Sequence, residues 1–171
     1  MSTAYDVVII GGGIHGVGVA QAAAAAGHRV LLLEKTALAS ATSSRSSKLI
    51  HGGLRYLESA QFGLVRGSLR ERTLLLQLAP DLVRRLPFHI PVYAGTTRRP
   101  FTIRAGLSLY ALLGNLAPDC RFASLPRTDW PDLDGLATDG LQAVFRYYDA
   151  QTDDAALTRA VMASARFTRS V

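Results

Sequence analysis

The feature that most constrains the fold of this 171-residue chain is a glycine-rich turn close to its start. Gly11, Gly13 and Gly16 stand in the spacing G-x-G-x-x-G, directly after a β-branched apolar run at residues 5–10. Such a run is typical of a strand buried on both faces. The small residues at 14–26 then predict a helix packed closely on that strand. Strand, turn and helix in this order form the first half of a dinucleotide-binding βαβ unit.

The second half of the unit follows directly. Gly27 is placed to end the helix, residues 29–33 form a second apolar run, and Glu34 ends that run. In such units the helix N-terminus binds phosphates, and an acid at this position accepts hydrogen bonds from the adenosine ribose. An acid also disfavours a 2′-phosphate. The pattern therefore predicts FAD or NAD rather than NADP, and it does not separate FAD from NAD.

Composition bounds the remaining possibilities. Hydrophobic residues make up 49% of the chain and charged residues 19%, which is typical of a packed domain. The net charge of +6 favours an anionic ligand, nucleic acid or an anionic membrane surface. Nucleic acid is excluded because the arginines are scattered and no recognition motif is present. The single cysteine, Cys120, allows no intramolecular disulfide, and no metal-ligand spacing is present, so we expect a small apolar residue and no metal.

The apolar stretch at 7–26 could be mistaken for a signal peptide or a membrane span. It has no cationic leader, and its five glycines suit a lipid-facing helix poorly. We therefore expect a cytoplasmic protein, with peripheral attachment to the inner face of the cytoplasmic membrane left open.

A hydroxyl-rich segment, "ATSSRSSKLIHGGLRYLE" at 41–58, follows the βαβ pattern. Its serines and threonine suit a loop that hydrogen-bonds its own backbone and a polar ligand. A solvated serine-rich linker is the alternative interpretation. The position directly after a dinucleotide-binding pattern favours the ligand-binding loop.

Three strings together resemble one protein family. "DVVIIGGGIHGVGVA", "ATSSRSSKLIHGGLRYLE" and "YYDAQTDDAALTRA" are similar to the FAD-dependent glycerol-3-phosphate dehydrogenases, which share their flavoprotein fold with D-amino acid oxidases. The resemblance implies an α/β fold with a Rossmann-type FAD-binding βαβ domain and an incomplete part of an α+β substrate or cap domain. Family members are much longer, so the chain resembles their N-terminal segment.

The resemblance also implies the site residues. Arg55 and Tyr56 match residues that contact the substrate phosphate and line its pocket, and a guanidinium fork can bind phosphate oxygens in pairs. A surface salt bridge is the alternative role for Arg55. The positions implied for FAD run from the glycine turn into the loop: Gly11, Gly13, Ile14, His15, Gly16, Glu34, Lys35, Thr42, Ser43, Ser44, Ser46, Ser47, Lys48, His51 and Gly52.

Within that set, the glycines and Glu34 would hold the ADP half of FAD. The residues from Thr42 to His51 would lie along its ribityl and isoalloxazine end. Two positions depart from the family pattern: His15 stands where many relatives have Asn, and Ala156 stands where Arg often follows the Asp pair. The second departure puts a substrate contact from residues 153–157 in doubt.

The implied reaction is oxidation of sn-glycerol 3-phosphate to dihydroxyacetone phosphate, with hydride passing from C2 to flavin N5 and electrons going on to quinone. No catalytic residue is assigned, because the base and further phosphate ligands are expected outside this chain. Three alternatives stay open: an oxidase that reduces oxygen, a flavin amine or amino-acid oxidase, and a non-catalytic dinucleotide-binding fragment. Contact with a membrane surface and a homodimer also stay open.

The predicted domain ranges are 1–80 for the FAD-binding domain, 81–152 for part of the substrate or cap domain, and 153–171 for a helix that returns to the FAD-binding domain. A long amphipathic helix is predicted over 57–78, with the charged residues at 66–72 on a solvated face. The prolines within 87–93 predict an edge strand.

A second apolar helix is predicted at 103–116, beside three arginines. A core helix is the preferred interpretation. The alternative is a helix at a membrane surface, with Phe101, Leu107 and Leu112 inserted among the lipids.

Overall fold

The computed structural model describes residues 4–167, and the chain divides into two compact units. The first unit combines Met1–Leu49 with Thr152–Val171, and the second comprises Ile50–Gln151. This division differs from the predicted domain ranges, because residues 50–80 lie in the second unit. The functional roles given to those ranges stay predictions.

Six strands and four helices are present in the described part of the chain, joined by short 3-10 helices at Thr42–Ser44, Leu54–Leu57 and Arg127–Asp132. In chain order they are β1 Val7–Ile10, α1 Ile14–Ala25, β2 Val30–Leu33, β3 Leu49–Ile50, α2 Phe62–Leu78, β4 Val83–Tyr93, α3 Pro100–Leu113, β5 Ala123–Ser124, β6 Leu141–Thr152 and α4 Asp154–Phe167.

The first unit contains the predicted βαβ arrangement. Strands β1 and β2 pair in parallel, with Val7 opposite Val30 and Ile10 opposite Leu33. Helix α1 connects them and is followed by Gly27 at a φ of +86°, so the predicted glycine cap is confirmed. Helix α4 packs against α1. A parallel pair joined by a crossover helix is the core of a doubly wound fold.

The second unit is built on a sheet with the strand order β3-β6-β4, in which β5 also pairs with β6. Strand β4 ends this order, so the edge strand predicted at 87–93 is confirmed, although it begins earlier, at Val83. One hydrophobic cluster joins Val65, Leu69, Tyr110 and Cys120. Cys120 is buried there, as the sequence predicted.

Helix α2 differs from its prediction in two respects. It begins at Phe62, because Leu57 belongs to the preceding 3-10 helix and Ala60, at a φ of +54°, breaks the helical path between them. The predicted solvated face is wrong for Arg72, which is fully buried, while Arg66 and Arg70 are exposed. Spacings of four and three residues place positions 65, 69 and 72 on one helical face, so the core face includes Arg72.

Helix α3 buries Leu107, Tyr110 and Ala111 and exposes Phe101 and Leu112. The core-helix interpretation is therefore confirmed for one face, and insertion of Leu107 into lipid is wrong because this side chain is 1% exposed. Among the described residues, the helices are too short or too polar to cross a membrane.

Candidate functional site

The turn between β1 and α1 has the backbone that a phosphate-binding turn requires. Gly11 has a φ of +107°, and its N–H donates to the carbonyl of Leu33 at 2.8 Å. A Cβ atom on Gly16 would lie 2.0 Å from the Gly11 oxygen, so only glycine fits there. A Cβ atom on Gly11 would meet nothing within 4 Å, which leaves room beside the turn. Helix α1 begins at Ile14, and its N-terminal turn, which includes His15, offers N–H groups to an anion.

Glu34 closes the same turn from the end of β2. Its Oε2 accepts a hydrogen bond from the N–H of Gly12 at 2.6 Å, and its Oε1 accepts one from Thr36 at 2.9 Å. These backbone hydrogen bonds, the one from Gly12 first, lower the pKa of Glu34, so it stays ionised near neutral pH. A carboxylate has about four lone-pair positions, so Glu34 can still accept ribose hydroxyls. Lys35 follows it on an exposed part of the loop.

The hydroxyl-rich loop begins against the glycine turn. The Oγ of Ser43 accepts the N–H of Ile14 at 3.0 Å, and a Cβ atom on Gly13 would approach that Oγ to 3.1 Å. Ser44 turns inward and donates to the carbonyl of Ala41 at 3.0 Å. The 3-10 helix Thr42–Ser44 is therefore attached to the start of α1, and the choice of a ligand-binding loop over a solvated serine-rich linker stays a prediction.

The next part of the loop is held by the start of α4. Asp154 Oδ2 accepts from both the N–H and the Oγ of Ser46, at 3.0 and 2.7 Å, and Asp154 Oδ1 pairs with Lys48 Nζ at 2.5 Å. Hydrogen bonds from Lys48 and Ser46 hold the pKa of Asp154 well below its usual range. Ser47, between them, is exposed. FAD contacts from these three residues stay predictions.

The remaining predicted residues, His51, Gly52, Arg55 and Tyr56, lie in the second unit. That unit contains a cavity of about 920 Å³. His51, Arg55 and Tyr56 line it, while Gly52 lies behind the wall. Helix α3 and strand β6 supply most of the opposite wall: Thr102, Ile103, Ala105, Gly106, Leu107, Leu109, Tyr147 and Asp149.

Two arginines line this cavity, and they differ in their partners. Arg98 is neutralised by Glu58, with Nε 2.6 Å from Oε1. Arg55 has no carboxylate within 4 Å among residues 4–167; its Nη2 donates to the Tyr56 hydroxyl at 3.4 Å, and its guanidinium lies 5.0 Å from the centre of that ring. Arg55 therefore forms no salt bridge within residues 4–167, and its role as a phosphate ligand stays a prediction.

Sequence reasoning missed a buried ionic cluster behind the cavity. Arg72 Nη1 donates to Asp149 Oδ1 at 2.7 Å and to the Tyr110 hydroxyl at 3.1 Å. Its Nη2 donates to Asp119 Oδ2 at 3.1 Å and approaches the Cys120 sulfur to 3.3 Å. Arg72 and Asp149 are 0% and 3% exposed, so this ion pair is buried.

The spacing of residues along α2 already indicated that one member of this cluster, Arg72, is buried. Arg72 follows the apolar positions Val65 and Leu69 at helical spacing, which places a cation where the pattern requires a buried side chain. No comparable spacing in the sequence indicated its partner, Asp149. Asp149 lies in an ordinary strand pattern, and Arg72 is 77 positions away.

Comparisons with known proteins agree with this geometry. A family model described as FAD dependent oxidoreductase matches residues 6–167. A glycerol-3-phosphate dehydrogenase of Synechocystis sp. is 46% identical over 154 residues, covering 89% of this chain and 28% of the relative. A D-erythritol 1-phosphate dehydrogenase of Brucella abortus is 44% identical over 155 residues, covering 89% and 30%.

Among solved structures, the glycerol-3-phosphate dehydrogenase of Bacillus halodurans complexed with FAD superposes with a TM-score of 0.63 at 24% identity, covering 98% of this chain and 25% of that one. The chain thus spans less than a third of each of these proteins. The predicted α/β fold is confirmed, and the glycine turn and Glu34 fit the dinucleotide. The chain belongs to the FAD-dependent oxidoreductase family, whose cofactor is FAD.

Proposed function

We propose that this chain forms the cofactor-binding turn and part of the substrate pocket of an enzyme that oxidises sn-glycerol 3-phosphate to dihydroxyacetone phosphate. The observation that carries the proposal is the 46% identity to a glycerol-3-phosphate dehydrogenase over 89% of the chain. The second relative is named for erythritol 1-phosphate, which is also a phosphorylated polyol. A phosphate beside an oxidisable hydroxyl is therefore the substrate chemistry that both names share.

Arg55 is the residue proposed to bind the phosphate. Its guanidinium lines the cavity without a carboxylate partner among residues 4–167, and the Tyr56 hydroxyl orients it. A guanidinium binds two phosphate oxygens at once through two parallel N–H···O hydrogen bonds, which are strengthened by the opposite charges. The other lining guanidinium, Arg98, already pairs with Glu58, so it contributes less to an incoming anion.

The chain's own residues also hold the cofactor and receive the substrate proton in this proposal. FAD, when bound, supplies the acceptor for the hydride that leaves the substrate carbon. The turn at Gly11–Gly16 and the start of α1 bind its pyrophosphate, and Glu34 accepts its ribose hydroxyls. The base that the resemblance implied outside this chain is instead proposed to be His51, whose imidazole lines the cavity and can accept the proton of a substrate hydroxyl.

Quinone is the proposed electron acceptor, and the inner face of the cytoplasmic membrane is the proposed location. Exposed Phe101 and Leu112 on α3, with Arg99 and Arg104 beside Phe101, support contact with an anionic lipid surface. Oxygen is the alternative acceptor. Measuring quinone reduction and peroxide formation with the purified holoenzyme distinguishes the two, since an oxidase produces peroxide without added quinone.

The test of the substrate assignment is Arg55→Ala in the holoenzyme. We expect the KM for sn-glycerol 3-phosphate to rise about 10- to 100-fold, the cost of one charged hydrogen-bonding partner, while flavin content stays normal. Arg66→Ala, an exposed arginine on α2 outside the cavity, is the matched control and should leave KM unchanged. Loss of flavin with unchanged KM would contradict the assignment. D-Erythritol 1-phosphate, assayed in parallel, tests which polyol phosphate is preferred.

A further inference from the structure

We propose that Asp149 is a positioning residue that fixes both the backbone and the ring of His51, so that Nε2 of the imidazole accepts the substrate hydroxyl proton. The proposal deepens the proposed function and rests on it for the identity of the substrate. The argument begins with the different partners of the two carboxylate oxygens of Asp149.

Asp149 Oδ1 faces three fixed donors. It accepts the N–H of Gly52 at 2.9 Å, Nη1 of Arg72 at 2.7 Å and the hydroxyl of Tyr110 at 3.2 Å. Oδ2 instead lies 3.3 Å from Nδ1 of His51. One carboxylate therefore holds His51 at two points, through the adjacent Gly52 amide and through the ring.

The support behind Asp149 is rigid. Arg72 is fully buried and is held on its other side by Asp119, so it cannot turn away without leaving charges unpaired. Burial raises the pKa of Tyr110 far above its usual range, which keeps the phenol protonated as a donor. Gly52 is packed so closely that a Cβ atom would lie 1.8 Å from the Tyr110 hydroxyl. The carboxylate therefore has little freedom to move.

The two ring nitrogens of His51 have different surroundings, and this difference determines which of them carries the proton. Its side chain is 56% exposed and lines the cavity, while Nδ1 faces the buried carboxylate. A carboxylate at Nδ1 favours the tautomer that carries its proton there. Nε2 has no hydrogen-bond partner among residues 4–167, so it is left as the acceptor. When the substrate O–H bond breaks and an Nε2–H bond forms, the resulting imidazolium is paired with Asp149.

Other titratable groups lie around the His51–Asp149 pair, and some of them are uncharged near neutral pH while others are charged. Burial raises the pKa of Tyr147 to about 12 and raises the pKa of Cys120, so both are uncharged near neutral pH. The charged groups are Arg72 and Asp119 behind the carboxylate, and Arg55 and the Arg98–Glu58 pair on the cavity wall.

The first test is Asp149→Asn in the holoenzyme, with Asp119→Asn as the matched control. Both substitutions remove one carboxylate from Arg72, but only Asp149 contacts His51. We expect Asp149→Asn to lower kcat about 100-fold while KM changes little, because the imidazole loses the partner that orients it. Asp119→Asn should lower stability while leaving kcat nearly unchanged. An unchanged kcat in Asp149→Asn, or the same loss of kcat in both variants, would overturn the proposal.

A second measurement covers the case in which Asp149→Asn does not fold. Nitrogen-15 NMR of histidine-labelled wild-type holoenzyme reports the tautomer, with His51 assigned among the four histidines through His51→Gln. We expect a protonated Nδ1 and an unprotonated Nε2; the reverse tautomer overturns the positioning role. This readout needs no turnover. Failure of the wild-type enzyme to oxidise polyol phosphates would instead overturn the proposed function alone.

Discussion

The glycine turn of the first unit and the Arg72–Asp149 pair of the second unit are encoded in the sequence in different ways. The turn is defined within residues 11–16, where backbone angles and close approach admit only glycine at particular positions. The ion pair joins two side chains that are 77 positions apart and follow no local spacing rule. The turn of one unit can therefore be recognised as a sequence motif, whereas the ion pair of the other unit depends on tertiary packing.

The largest expected effect comes from removing the cation of the buried Arg72–Asp149 pair. Arg72→Met leaves the buried carboxylate of Asp149 and the half-buried one of Asp119 without their cation, and the loss of one partner of a buried pair costs about 3–5 kcal/mol of unfolding free energy. Urea denaturation of the full chain measures it. Arg70→Met, an exposed neighbour on the same helix, should stay within about 0.5 kcal/mol of wild type. Equal unfolding free energies of the two variants would show that the buried pair does not contribute to stability.

A smaller effect is expected from a substitution in the glycine turn. In Gly16→Ala the new methyl group meets the Gly11 carbonyl at 2.0 Å, and because that atom is backbone, relief requires a shift of the turn. We expect a loss of about 1–3 kcal/mol together with reduced flavin content, read from the visible absorbance of the purified protein.

Gly18→Ala is the control for that variant. It lies on the same helix, and its Cβ atom would meet nothing within 4 Å, so helix propensity should stabilise it by about 0.5–1 kcal/mol. Full flavin content in Gly16→Ala would mean that the turn does not need to hold its shape for FAD to bind.

The smallest effect tests the contact between the hydroxyl-rich loop and α4. Lys48, and then Ser46, lower the pKa of Asp154, so this contribution to stability is present above the usual carboxyl pKa and is lost as pH falls through the lowered folded value. Lys48→Met should therefore lower the melting temperature by about one or two degrees at neutral pH, and the difference should vanish in acid. A difference that persists at low pH would assign the effect to packing.

These comparisons also define what the sequence could predict. The βαβ order, the Gly27 cap and the edge strand at 87–93 were predictable because each depends on local backbone chemistry. The burial of Arg72 was missed although its helical spacing from Val65 and Leu69 indicated it, because a cation beside two other charged residues was interpreted as part of a solvated face.

The boundary of the first unit at Leu49 was hidden for a related reason. It lies inside the string at 41–58, which resembles the family as one continuous motif. The composition of the sequence therefore does not change at the boundary between the two units. Asp149, on β6, was missed because its partners come from α2, α3 and the Gly52 amide, which only the folded chain brings together.

The packing of α4 against α1 has a consequence for the order in which this chain folds. Gln21 on α1 hydrogen-bonds Ser164 on α4 across 143 positions, and all of Ile50–Gln151 is synthesised between them. Contacts of such high sequence separation form slowly, because loop closure must precede them. On the ribosome, the nucleotide-binding turn would emerge well before α4, the helix that packs against α1. During that interval α1 would lack its contact with α4, so the packing of the first unit would be incomplete.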